Sequence, residues 1–179
     1  MRLKPLLSLL AGLAAAWTFG VVQARAEVIR KGDDFFILQI RAPLTAPPER
    51  ALAGLGAIGQ WWNAAHTYSG DAAKMSLPLQ VGACLCEALA DGGRFEHGRV
   101  VLIQPQRSLE LEAPLGPLNG RTTRATLVFS WTPLSEDPTL VLSYWVEGEG
   151  VGAWAEAVDR VMQSQFDRWA AWVQPNVAQ

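Results

Sequence analysis

The sequence predicts an α+β domain in which a curved antiparallel sheet is wrapped on one long C-terminal helix. Three observations predict it. An early β-rich run at 35–41 leads into a helical stretch, residues 75–146 read as strands joined by short turns, and residues 152–173 form a proline-free amphipathic segment. A meander followed by a single long helix leaves that helix to cover the concave face of the sheet, and such a grip leaves space between the two layers.

Each element follows from its local pattern. In FFILQIR (35–41), Phe36, Leu38 and Ile40 share one face of a strand. Residues 42–48 break it; Thr45 offers a helix cap before Pro47-Pro48, and Leu52, Leu55 and Ile58 recur at helical spacing, so a helix ending near Gly59 is expected. Strands are expected at 79–89 and 94–104, joined by the turn Ala90-Asp91-Gly92-Gly93, then at 107–112, 124–132 and 140–146. The last helix carries its apolar stripe on Trp154, Val158, Val161, Trp169 and Trp172, with Gln165 as the one polar member.

The N-terminus reads as an export signal. Arg2 and Lys4 precede an 18-residue apolar run that ends at Ala24-Arg25-Ala26, a small-x-small cleavage pattern. The expected organisation is a signal peptide at 1–26, a linker at 27–34, the domain at 35–173 and a tail at 174–179. The expected location is therefore periplasmic or secreted, with no stable membrane insertion after cleavage. Losing Arg2, Lys4 and Arg25 leaves 12 basic against 17 acidic residues, a formal charge of −5. That balance makes nucleic acid an unsuitable partner. A mature chain of about 150 residues can bury a core without covalent staples. Seven tryptophans survive cleavage, more large aromatic surface than a minimal core needs.

The order of motifs carries a resemblance. Trp61-Trp62 followed by HTYSGDAAKMSL, then GACLCE, GGRFEHGRVV, LGPL and VDRVMQSQF resembles the START-like, or SRPBCC, helix-grip superfamily, and more narrowly an exported bacterial subgroup of it. The superfamily includes polyketide cyclases, lipid-transfer domains and an activator of a chaperone ATPase. The resemblance covers residues 33–173 and implies a cavity for a small, largely apolar molecule; no cofactor is expected. Gly82-Ala83, Leu85 and the EGEG of 147–150 depart from the Gly-Gly, Phe and Gly-Gly-Tyr usual in that subgroup.

GACLCE (82–87) holds the only two cysteines. Residues two apart in a regular strand have Cα atoms roughly 6.6 to 6.8 Å apart, the upper limit for a disulfide, so two unbridged thiols are expected unless a bulge intervenes. With the 90–93 turn, paired positions place Cys86 opposite His97, Cys84 opposite Arg99 and Glu87 opposite Glu96. Two facing carboxylates repel unless they are solvated. The expectation is therefore that Cys84, Cys86, His97 and Arg99 face the cavity and Glu87 faces water, although Leu79, Val81 and Leu85 on the glutamate face argue the other way. Several readings of this cluster stay open: a pocket wall, a soft-metal site of Cys84, Cys86, His97 and His66, or a cysteine activated by His97 or Arg99.

The candidate ligand-binding residues are Trp62, His66, Tyr68, Cys84, Cys86, His97, Arg99, Trp131, Tyr144 and Gln165. Trp62 is the rim member of the Trp61-Trp62 pair, His66 and Tyr68 lie in a polar loop over the cavity, and Arg99 suits a ligand carboxylate. Trp131 and Tyr144 lie on inward strand faces, and Gln165 can hydrogen-bond from the roof. The expected function is noncatalytic binding of a small hydrophobic or aromatic molecule or lipid. The alternatives are a cyclase or dehydratase type of enzyme using His97 or Glu87, and a metal-binding or partner-binding module. No catalytic triad, P-loop or dinucleotide fingerprint is present.

Overall fold

The computed structural model describes residues 25–174. The signal peptide expected at 1–26 lies almost wholly outside the described residues, as do 175–179. Eight antiparallel strands form one open sheet in the order β1-β2-β8-β7-β6-β5-β4-β3. They are β1 (Arg25–Lys31), β2 (Phe35–Pro43), β3 (Met75–Ser76), β4 (Cys84–Ala88), β5 (Arg94–Gln104), β6 (Ser108–Glu112), β7 (Arg124–Trp131) and β8 (Thr139–Glu147). Helix α1 (Glu49–Gly56) and a series of short 3-10 turns fill the crossover from β2 to β3, and α2 (Ala155–Val173) lies across the sheet. This is the helix-grip arrangement, with the sheet curved around α2. No helix among the described residues is long and apolar enough to cross a membrane.

Alternation builds the core. Phe36, Leu38 and Ile40 of β2, Leu127, Phe129 and Trp131 of β7, and Leu142, Tyr144 and Val146 of β8 are all buried at the second-residue spacing of strands. Phe129 packs edge-on against Trp169 of α2, with ring centroids 5.0 Å apart, so the sheet meets the helix through aromatic contacts. The C-terminal carbonyls of α2 are capped from α1: the Arg50 guanidinium donates to the Val173 and Trp172 carbonyls at 2.7 Å each, where a cation also suits the negative end of the helix dipole.

Several expectations are corrected. Residues 27–34 are not a linker through their length, because β1 runs to Lys31 and pairs with β2. Thr45 does not cap α1; its hydroxyl and N–H meet the Gln174 side chain, so the first residue of the expected tail is tied down, and Pro48 stands at the helix N-cap. The strand expected over 79–89 begins only at Cys84, since Gly82 adopts a left-handed φ of 85° in a turn. The buried row of α2 is Ala155, Met162, Phe166, Trp169 and Val173 together with Gln165, so Trp154, Val158 and Val161 sit beside it rather than on it.

The largest correction concerns the β4–β5 pairing. Cys84 faces Arg99 and Leu85 faces Gly98 as the turn arithmetic requires, but Cys86 then faces Glu96 and Glu87 faces Phe95. His97 is the extra residue of a bulge. Gly98 accompanies it: a Cβ there would lie 2.6 Å from the Ala113 Cβ and 2.8 Å from the Glu112 carbonyl oxygen, so only glycine lets β5 approach the next segment this closely. The slip separates the two glutamates, and with them the repulsion that had assigned Glu87 to water. Glu87 and His97 turn inward together, while Cys84, Cys86 and Arg99 turn outward.

The cysteines are bridged, contrary to the expectation of free thiols. Cys84 and Cys86 form a disulfide across a Cα separation of 5.2 Å, shorter than a regular strand gives, so β4 contracts at Leu85. A bridge closing three residues removes little loop entropy, roughly 1.6 kcal/mol on the chain-entropy relation. It is a weak staple.

Candidate functional site

A cavity of ≈ 480 Å³ opens between the N-terminal half of α2 and the sheet. Trp154, Val158, Val161 and Met162 form one wall from the helix side, and Leu115 and Leu118 form a second from the turn after β6. Trp62, His66, Thr67 and Tyr68 close it from the crossover segment, and His97 reaches it from β5. The lining is mostly apolar with few polar groups, the usual character of a small-molecule site.

The polar centre is a buried pair. His97 Nε2 lies 2.8 Å from Glu87 Oε2, with His97 4% and Glu87 0% exposed. The carboxylate also accepts the backbone N–H of Tyr68 at 3.0 Å through Oε2 and that of Ser69 through Oε1. Burial pushes the Glu87 carboxyl up, but Ser69, the Tyr68 N–H and His97 beside it outweigh that and hold the pKa at about 2. Glu87 is therefore an acceptor, which makes Nε2 the donor and leaves Nδ1 of a neutral His97 with the lone pair. Nδ1 makes no hydrogen bond among the described residues. Tyr68 stacks beside the imidazole at 5.7 Å and Phe95 meets it edge-on at 4.8 Å, which fixes the ring plane.

The segment over the cavity is tied at both ends. Glu87 holds it at Tyr68 and Ser69, and Gln165 of α2 accepts the Asn63 N–H at 2.9 Å. Asn63 in turn accepts from Ala65 and donates to Ser164 Oγ, so its side chain both caps the turn carrying His66 and joins it to α2.

Of the residues singled out in the sequence, Trp62, His66, Tyr68 and His97 come together around the cavity. Trp62 also donates its indole N–H to the His66 carbonyl at 3.2 Å. The others lie elsewhere. Cys84 and Cys86 are on the outer face, in a separate groove, and with their sulfurs bridged they are unavailable to the metal set proposed with His97 and His66. No cluster of three or more metal-binding side chains occurs among the described residues.

Arg99 is half exposed and bonds to the Gly82 carbonyl and to Glu96, not to the cavity. Trp131 is core, and its indole N–H has no partner among the described residues. Tyr144 is core too, its hydroxyl donating to the Ala113 carbonyl at 2.6 Å and accepting from the Leu115 N–H at 3.2 Å; burial raises its pKa. Tyr144 thus fixes the turn that carries Leu115. Gln165 is fully buried, with Oε1 used and Nε2 unpartnered among the described residues.

Glu87 was foreseen only as an alternative catalytic group, and the LGPL turn only as part of a resemblance. The signal for that turn was available as the dipeptide Gly116-Pro117 shortly after the strand that ends at Glu112; in the structure Gly116 takes a φ of 54° and a 3-10 turn follows.

No family model matches the chain, and no curated protein matches it. Solved structures do share its fold. A protein from Mesorhizobium loti aligns over 76% of this chain and 96% of its own at 12% identity and a TM-score of 0.55. An uncharacterized protein from Rhizobium leguminosarum aligns over 84% and 97% at 18% identity and a TM-score of 0.55. DynU16, from the dynemicin biosynthetic locus, aligns over 79% of this chain at 17% identity and a TM-score of 0.54; this chain spans about half of DynU16, 48% of its length. At such identities the likeness is one of fold.

Proposed function

We propose that this protein binds one small, largely apolar molecule in the cavity under α2, with His97 orienting its single polar group. The observation that carries this reading is a buried, hydrogen-bonded imidazole at an otherwise mostly apolar cavity of ≈ 480 Å³. The motif order that resembles the START-like superfamily supports it, and the fold shared with a protein of a biosynthetic locus is compatible with it. Native mass spectrometry on protein purified without chelators tests it. A retained organic molecule released by His97→Phe is the expected result; a retained metal, or no capture from a panel of lipids and aromatic compounds, overturns it.

A second reading has its own observation. The Glu87–His97 pair is the arrangement of an orienting carboxylate behind a general base: Glu87 fixes the tautomer, and Nδ1 can take a proton from a bound C–H or O–H group. A cyclase or dehydratase type of reaction would use such a base without a cofactor. Turnover of a polyketone or hydroxyketone that falls at least tenfold in Glu87→Gln while binding persists would favour it.

Export belongs to the same proposal, on the strength of the basic, apolar and Ala-x-Ala pattern of residues 1–26. The mature N-terminus should be Glu27 when the full chain is expressed in a bacterium and recovered from the periplasm; an intact Met1 in the cytoplasmic fraction would contradict it.

A further inference from the structure

The cavity uses the inner face of the β4–β5 hairpin and leaves the outer face unexplained. There the Cys84–Cys86 bridge lies in a groove of ≈ 450 Å³ whose other walls include Pro78, Val81, Gly82 and Arg94. Three features make this bridge accessible and weakly held. Strand β3 ends at Ser76, which pairs with Cys86, so no β3 residue pairs with β4 at Cys84. Cys84 is partly exposed, whereas Cys86 is 4% exposed, so the two sulfurs are not equivalent toward an incoming group. The bridge also spans a single residue, and a disulfide that orders so little of the unfolded chain is in turn held only weakly by the fold.

The turn below it is fixed independently. Arg99 donates to the Gly82 carbonyl at 2.7 Å, and the Gly82 N–H donates to the Val100 carbonyl at 2.8 Å, so the turn leading into Cys84 does not depend on the bridge. Arg94 places a cation on the groove wall, where it favours thiolate over thiol.

We propose that Cys84 and Cys86 form a thiol–disulfide exchange site that oxidises a pair of substrate thiols. A substrate thiolate enters the groove and attacks Cys84 Sγ; the S–S bond breaks and Cys86 leaves with the electron pair as a thiolate. The second substrate thiol, as thiolate, attacks the substrate sulfur of the mixed disulfide and displaces Cys84. The protons released by the two substrate thiols reside finally on Cys84 and Cys86. Two thiols have become one disulfide, and the protein disulfide has become a dithiol.

The test uses folded, air-equilibrated protein in mixtures of reduced and oxidised glutathione, followed by acid quench, alkylation and mass analysis. The expected result is half-conversion to the dithiol within the range of ratios that glutathione covers. A bridge that stays closed in every mixture, yet opens once guanidinium unfolds the chain, is a structural staple and overturns the proposal. Two free thiols in the air-equilibrated protein would also overturn it.

Cys86→Ser with oxidised glutathione should trap a glutathione adduct on Cys84, and absence of the adduct counts against exchange. A peptide carrying two cysteines, compared with glutathione at equal thiol concentration, distinguishes the source. Faster oxidation of the peptide assigns a polypeptide substrate and equal rates assign small thiols, and either supports exchange.

Discussion

The two faces of the β4–β5 hairpin hold opposite chemistry within one strand spacing. Inward, Glu87 and His97 are buried and hydrogen-bonded to each other, and Glu87 also holds the segment above the cavity. Outward, Cys84 of the disulfide and Arg99 meet solvent, and Arg99 is held by the Gly82 carbonyl and by Glu96, itself exposed. A charge on the inner face is held by several hydrogen bonds in a buried place, so losing one partner strands the rest. A charge on the outer face exchanges protein for water at little cost. Mutations of matched size on the two faces should therefore differ severalfold in effect.

The largest effect is expected from Glu87→Ala. It removes a carboxylate that accepts from Tyr68, Ser69 and His97 and leaves two backbone N–H groups without an acceptor, which should cost about 3 kcal/mol or more in urea unfolding. The pH dependence has a definite sign. Glu87 has a folded pKa depressed from 4.5 to about 2, so its contribution is fully present above the unfolded value and is lost as pH falls from 4.5 through 2. Wild type should thus lose more stability than Glu87→Gln between pH 5 and pH 2, as followed by chemical denaturation at each pH. Parallel loss in the two proteins would show that Glu87 is not the ionised acceptor described here.

Gly98→Ala comes next and tests the hinge between the faces. The added methyl would stand 2.6 Å from the Ala113 Cβ and 2.8 Å from the Glu112 carbonyl oxygen, so β5 must move away from that segment at a cost of about 1–3 kcal/mol. Because the same movement disturbs the bulge at His97, ligand capture should weaken along with thermal stability. A variant as stable as wild type with unaltered capture would break the link between Gly98, the bulge and the cavity.

What the sequence disclosed and what it withheld divide along the same hairpin. The meander from β5 to β8 was legible because burial follows strict alternation at Leu127, Phe129 and Trp131. The final helix was legible from its helical spacing, but of the stripe read there only Gln165 and Trp169 belong to the buried row, which runs through Met162, Phe166 and Val173 instead of Val158, Val161 and Trp172. Strand β3 was not legible, being two residues long, and β1 was hidden at the junction with a targeting pattern. His97 was expected at the cavity as a face-mate of Cys84, Cys86 and Arg99, but those three turn outward and it is the bulge that turns His97 inward. Glu87 was sent to the wrong face because a one-residue bulge leaves no trace in local periodicity yet inverts the pairing beyond it. The contraction at Leu85 that brings the cysteines together was hidden for the same reason. Gln165 was correctly read as the polar member of the helix stripe, but its partner, the Asn63 N–H, is set by tertiary packing alone.

On the outer face, Cys84→Ser with Cys86→Ser removes a bridge of three residues and should lower stability by roughly 1.6 kcal/mol at most, with capture in the cavity unchanged. Loss of capture in that double variant, measured in the same native mass experiment, would mean that the contraction at Leu85 positions Glu87, and the two faces would not be independent.

Arg99→Ala should do least. The Arg99 side chain is 51% exposed and that of its partner Glu96 is 45% exposed, a setting in which an ion pair contributes between nothing and about 1 kcal/mol. Its hydrogen bond to the Gly82 carbonyl has water as a ready substitute, so the expected change is within about 0.5 kcal/mol. The sharper readout is binding. Arg99 was a candidate partner for a ligand carboxylate only while the hairpin was taken as regular, and the bulge places it on the far side of the sheet from Trp62 and Val158. Ligand affinity in Arg99→Ala should match wild type by calorimetry while His97→Phe falls at least tenfold. If the two variants fall together, the bulge is absent in solution and the inner and outer faces have been exchanged.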